Sequence, residues 1–158
     1  MDACSRPSRF VRRAFRRGLE CHLFFRDLML EFGGPTPLGQ LHALMDVVKQ
    51  IVETEGFQGC IFVNAAIEFP LPHEPAHIAA AESKQAIEDL VCEVATKAGA
   101  LNPRTLAKEL SLIMEGAYVT RHVSGDQQAV EIARRLAKLA IADACPQQLQ
   151  TQPHVSPE

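Results

Sequence analysis

Apolar residues recur along this chain every three to five positions in five separate stretches, and nowhere do they alternate in and out between hairpin turns. The first stretch runs from about Phe10 to Phe32, with Phe15, Leu19, Phe24, Leu28 and Phe32 expected on its buried face. Gly33 and Gly34 should stop it, because glycine takes up the left-handed conformation that closes a helix. A second helix then starts at Thr36-Pro37. Thr36 can cap free amides, and Pro37 suits a first helical position, where its missing N–H costs nothing. Leu38, Leu41, Met45, Val48 and Val52 line this helix up to Gly56.

From Gly59 to Phe69 the chain is short and apolar. Cys60-Ile-Phe-Val63 alone reads as a buried strand, but Asn-Ala-Ala-Ile-Glu follows and no second strand exists to pair with it, so a short buried helix is expected. Pro70, Pro72 and Pro75 break the chain before a fourth helix, about Pro75 to Ala98, with Ile78, Ile87, Leu90, Val91 and Val94 inward. Asn102-Pro103 repeats the cap-and-proline start for a fifth helix reaching about His122, whose stripe holds Leu106, Leu110, Ile113, Met114, Ala117 and Tyr118. Ser124-Gly125-Asp126 is a tight connection, and Asp126 is the expected cap of a last helix over about 127–143 that Pro146 ends. The expected fold is all-α, an antiparallel bundle of about six helices. Residues 1–17 form a basic arm or helix start, 18–144 the helical domain, and 145–158 a Gln- and Pro-rich tail with too few apolar groups to fold.

Composition narrows the function classes. With 158 residues and 47% hydrophobic content the chain can bury one sizeable core. No run approaches the roughly 18 to 20 apolar residues that span a bilayer, so no membrane partner is expected. Five scattered cysteines without a Cys-x-x-Cys pair point to reduced thiols and a cytoplasmic protein. Charge is lopsided: residues 1–17 hold six arginines against Asp2, while the remainder holds 10 basic and 18 acidic residues. A body of that sign repels phosphate backbones, so nucleic-acid contact would fall to the arm. The sequence contains no nucleophile elbow, phosphate-cradling glycine loop or dinucleotide fingerprint, so neither catalysis nor a cofactor is expected. His73 and His77 are four apart, but Pro75 between them breaks the helical geometry a shared metal needs, and no metal is expected.

Two surfaces carry the functional expectation. Helices five and six, joined by a short turn, should form an antiparallel pair. Leu110 and Ile113 on the fifth, with Ala129, Ala133, Leu136, Ala137 and Ala140 on the sixth, are the candidates for a contact with a second copy. Alanines repeated at i+4 let another helix approach closely, and Ile132 and Leu139 make the sixth helix apolar around much of its circumference. A ligand lining is expected from Met45, Phe62, Ile87, Met114 and Tyr118, with Asn64 and Glu68, four apart on the short helix, to orient polar groups. Cys60, beside Phe57 and Phe62, is a candidate redox-sensing thiol or plain packing.

Gly56-Phe-Gln-Gly-Cys-Ile-Phe-Val-Asn-Ala-Ala-Ile-Glu-Phe69 resembles a "GCxFxNAxxE" segment of TetR-family sensor domains. Leu112-Ile-Met-Glu-Gly-Ala-Tyr-Val119 and Val123-Ser-Gly-Asp126 are similar to that family's penultimate helix and the turn after it. The resemblance covers roughly residues 18 to 142. It implies a homodimer through the last two helices and a small, often hydrophobic effector inside the helical domain. It also implies that the effector changes the separation of two N-terminal DNA-reading heads. A three-helix head needs on the order of 45 residues, and only about 17 precede the first matched helix. The expectation is therefore a sensor and dimerisation module without its own complete head, reaching DNA only through a head that is missing here or supplied by a partner. The alternative is a nucleic-acid or protein interaction module, acting through the arginine arm or by pairing with a full-length regulator.

Overall fold

In the computed structural model, the backbone is described for residues 9–146 and the side chains for residues 21–146. The side chains of the arginine-rich start, Phe15 and Leu19 among its neighbours, and the tail beyond Pro146 lie outside the described residues. The described chain is all-α: α1 (Arg9–Gly33), α2 (Pro37–Val52), α3 (Ile61–Glu68), α4 (Pro75–Lys97), α5 (Pro103–Ser124) and α6 (Ala129–Ala144). Proline opens α2, α4 and α5 as the sequence suggests. At α2 the Thr36 hydroxyl accepts the Gly39 N–H at 3.2 Å. Asn102 occupies the cap position of α5, yet its side chain makes no capping bond.

Helix α2 is the central element, packed against α1, α4, α5 and α6. Its Leu41, Leu44, Met45, Val47 and Val48 are wholly buried. The turn into it is tighter than a helix stop requires. Gly33 and Gly39 face each other backbone to backbone, so a Cβ on either would collide with the other's main chain. Gly34 supplies the left-handed step, at φ 67°.

Three sequence expectations need correction. Among the described side chains of α1 the buried ones are Phe25, Leu28 and Met29, whereas Phe24 and Phe32 are exposed. Ile78, on the first turns of α4, is exposed rather than inward. Asp126 does not cap α6 directly: its carboxylate accepts the Gln128 N–H at 2.8 Å, which folds the turn, and Gln128 takes the cap position. The strand alternative for Cys60–Val63 gives way to α3, which starts one residue after Cys60.

Candidate functional site

The expected ligand lining falls inside one contiguous hydrophobic core. Met45 on α2, Phe62 on α3, Ile87 on α4, and Met114 and Tyr118 on α5 all belong to it. Tyr118 is 6% exposed, and burial pushes its phenol far above the ordinary range, with the Cys60 and Cys21 thiols adding to the shift. Beside it the α2–α3 loop folds over: the Phe57 ring stands 6.1 Å from that of Tyr118 and 6.2 Å, edge-on, from His122. Gly59, at φ 83°, lets that loop close against the His122 ring, where a Cβ would sit 3.3 Å from it.

The two polar candidates take different places. Asn64 donates from its amide nitrogen to the Gln58 carbonyl at 2.8 Å and so pins the loop. Glu68 is exposed at the end of α3. Cys60 is half-buried at the α3 start, and none of Cys21, Cys60, Cys92 and Cys145 is in a disulfide. His77 engages the Phe69 carbonyl through Nδ1 at 2.9 Å, holding the proline-rich break against α4. No group of three or more His, Cys, Asp and Glu among the described residues is placed to hold a metal ion.

The α5–α6 hairpin divides the interface candidates. Leu110, Ala129, Ala133 and Ala137 are buried in the chain's own core, so they are not on a free face; Ile113 and Ala140 are half-buried. Leu136 is exposed together with Ile132 and Leu139, which the sequence already set off the alanine row, and a further set on α5 that it did not name. Leu112 (71% exposed), Val119 and Val123 run down the outer side of α5 with Gly116 between them. Ile132, Leu136 and Leu139 (64% exposed) do the same on α6. Spacings of three and four put each set on one helix face, which on α5 lies opposite the buried one. An open groove of about 660 Å³ runs along this side of α6, with Ile132 and Leu139 bordered by Arg134, Arg135 and Lys138. It shares no residue with the expected ligand lining.

Ion pairs tie the hairpin to the rest. Arg134, only 16% exposed, reaches Asp46 of α2 at 2.9 Å and Glu131 at 3.2 Å. Lys84 of α4 pairs with Glu115 of α5, and Arg104 with Glu88 and Asp89. Between α2 and α6, burial and then the Lys138 charge push His42 below the usual imidazole range. None of this seam was foreseen, because sequence spacing relates residues within a helix and says little about which helices meet. No described helix is long and apolar enough to cross a membrane.

Known proteins place this architecture. A family profile described as "Tetracyclin repressor-like, C-terminal domain" matches residues 37–137. Two curated relatives, each named "HTH-type transcriptional regulator YjdC", from Escherichia coli K12 and from Shigella flexneri, are 31% identical over 113 residues. That match takes in 72% of this chain and 59% of theirs, so the chain spans about three fifths of their length. The crystal structure of a TetR-family transcriptional regulator from Streptomyces coelicolor shares the fold, with a TM-score of 0.73 at 22% identity over 85% of this chain and 69% of that one. These relatives are transcriptional regulators, and they do not favour the alternative of an interaction module built on the arginine arm. With the family profile covering most of the helical bundle, the chain belongs to the tetracycline-repressor-like C-terminal-domain family of transcriptional regulators.

Proposed function

We propose that this chain is the effector-sensing and dimerisation part of a TetR-like regulator, working in the cytoplasm. It pairs with a second copy through the outer faces of α5 and α6 and holds a small, apolar effector among α2, α3, α4 and α5. The observation that carries the reading is a pair of apolar stripes, Leu112, Gly116, Val119 and Val123 on α5 and Ile132, Leu136 and Leu139 on α6, left uncovered by the chain's own helices. Exposed leucines scattered singly need no explanation, but apolar stripes on both helices of one hairpin are of the kind that partners cover. Covering a leucine side chain contributes about 1.5 to 3 kcal/mol. A two-fold axis counts each residue twice, so the face can offset the entropy lost on association.

The relatives' description as helix-turn-helix regulators extends the proposal to the whole protein. There the effector would shift the separation of DNA-reading heads attached ahead of α1, or carried by a full-length partner. Sedimentation equilibrium tests the pairing. The wild-type chain is expected to be dimeric at micromolar concentration. Leu136→Glu with Leu139→Glu should weaken association at least about a hundredfold, since an unpaired carboxylate is then buried at the contact, while the helical circular dichroism stays unchanged. A wild-type chain that remains monomeric at about 100 μM, roughly the strength expected of a weak contact, sinks the reading.

A further inference from the structure

The charges of α6 fall into two groups. Arg134 is held by Asp46 and Glu131 within the chain. Arg135 and Asp143 are both exposed, and neither makes an ion pair among the described residues. These two opposite charges stand four residues before and four residues after Leu139, which at 64% is the most exposed apolar side chain of the helix. Positions four apart stack on one side of a helix, so the charges flank Leu139 at about 6 Å in each direction along the axis.

The two ends of α6 also differ in bulk. From Gln128 to Leu139 runs the open groove, where Ile132 and Leu139 lie among Arg134, Arg135 and Lys138, with Glu131 the single acid. From Ala140 to Ala144 the one buried residue is Ile141, and the others are alanines and Asp143. One end is basic and recessed, the other acidic and narrow. Such a helix complements a second copy of itself only when that copy runs in the opposite direction. A parallel copy would set Arg135 beside Arg135 and Asp143 beside Asp143, which repel. A two-fold axis lays one patch on itself, residue i meeting j while j meets i. Passing beside Leu139, that axis stacks the two Leu139 side chains and brings Arg135 of each copy against Asp143 of the other.

We propose that α6 recognises its own copy through this register: two α6 helices cross antiparallel at Leu139, and reciprocal Arg135–Asp143 ion pairs select that arrangement over other registers and other partner helices. This rests on the pairing reading above and goes beyond it, from the existence of a dimer to what makes the dimer selective. Apolar burial supplies strength without direction. Opposed charges fix the register and penalise a mismatched partner.

The test is a charge swap in the full chain, read by sedimentation equilibrium at low ionic strength, where surface charges are least screened. Arg135→Asp leaves two acids and Asp143→Arg two bases at the contact, so each variant should self-associate at least about tenfold more weakly than the parent. Both positions are exposed, so the dilute variants should keep the parent's melting temperature. Mixed in equal amounts, the two variants should pair with each other at about the parent's strength, because acid then meets base at both contacts. The double variant, Arg135→Asp with Asp143→Arg, should pair with itself for the same reason. If each single variant self-associates as the parent does while Leu136→Glu with Leu139→Glu still breaks the dimer, the register is wrong and the pairing reading stands. Weakened variants that mixing does not restore also overturn the register, since the two charges then never meet. Rescue of Asp143→Arg by Lys138→Asp in place of Arg135→Asp overturns it as well. A parent chain still monomeric at about 100 μM removes the register and the pairing reading together.

Discussion

Helices α2 and α6 have the same length, 16 residues, and opposite surroundings. The first is ringed by four other helices and buries seven side chains; what it turns outward is polar, His42, Lys49 and Gln50. The second buries five and turns outward Ile132, Leu136 and Leu139 as well as its charges. Burial inside a single chain explains every apolar residue of α2. It leaves Ile132, Leu136 and Leu139 of α6 without a reason, and the same division runs along α5, where Leu110, Met114 and Tyr118 face inward and Leu112, Val119 and Val123 face out. One surface keeps the monomer folded, and the other is the face proposed above to meet a second copy.

The sharpest way to break that division is to truncate one leucine from each side. Leu110 is wholly buried, so Leu110→Ala should cost about 2 to 5 kcal/mol, the transfer loss plus the cavity left behind. Leu139→Ala in a dilute, monomeric chain should cost less than about 0.5 kcal/mol and act instead on association. Urea unfolding at low and high protein concentration separates the two. If Leu139→Ala destabilises the dilute chain as much as Leu110→Ala, the outer face is structural after all.

A second comparison uses the single tyrosine in the sequence, Tyr118. With no tryptophan present, phenolate absorbance near 295 nm reports that one side chain. Burial raises the folded-state pKa above the unfolded value of 10.0, so the native protein holds a proton that the unfolded chain releases. Stability from this group is therefore intact below pH 10 and declines as pH climbs toward the folded value. By pH 11 the loss is about 1.4 kcal/mol, one unit past the unfolded pKa. The native protein should show no phenolate band at pH 11 while the urea-unfolded protein does, and Tyr118→Phe should remove that part of the alkaline loss. An ordinary titration near pH 10 in the folded state would mean that the inner face of α5 is open to water.

What the sequence made legible follows from what local patterns encode. Thr36-Pro37, Pro75 and Asn102-Pro103 located helix starts because a proline at the first turn acts through its own backbone, whatever packs nearby. The phase of α1 was not legible. Phe24, Leu28 and Phe32 form one good stripe and Phe25, Leu28 and Met29 another, and only the neighbouring α2 and α4 choose between them. The alanines of α6 misled for a related reason. Ala133 and Ala137 do permit a close helix approach, but the helices that approach are α2 and α5 of the same chain. The Gly33–Gly39 crossing had no signal beyond two glycines, since a backbone-on-backbone contact leaves no side-chain period to read. Of the ligand lining, the apolar members were readable as core, whereas the role of Asn64 depended on a loop carbonyl six residues away.

Gly116 gives the finest cut between the two faces. It lies in the outer stripe between Leu112 and Val119, and a Cβ built there meets nothing within 4 Å. Within the monomer, Gly116→Ala should be stabilising by up to about 1 kcal/mol, because glycine carries an entropy penalty inside a helix that alanine lacks. Gly116→Leu should fold as well as the parent for the same reason. A partner helix seated on that bare backbone would tolerate the alanine poorly and the leucine not at all. Melting of the dilute chain should thus hold steady or rise across the series while the dimer dissociation constant climbs from glycine to leucine. Unchanged association with leucine at 116 would move the crossing point toward Val123 at the end of α5. A fall in the dilute melting temperature would instead show that some part of this chain already occupies the space beside Gly116, and the distinction between the faces of α5 would then have to be drawn elsewhere.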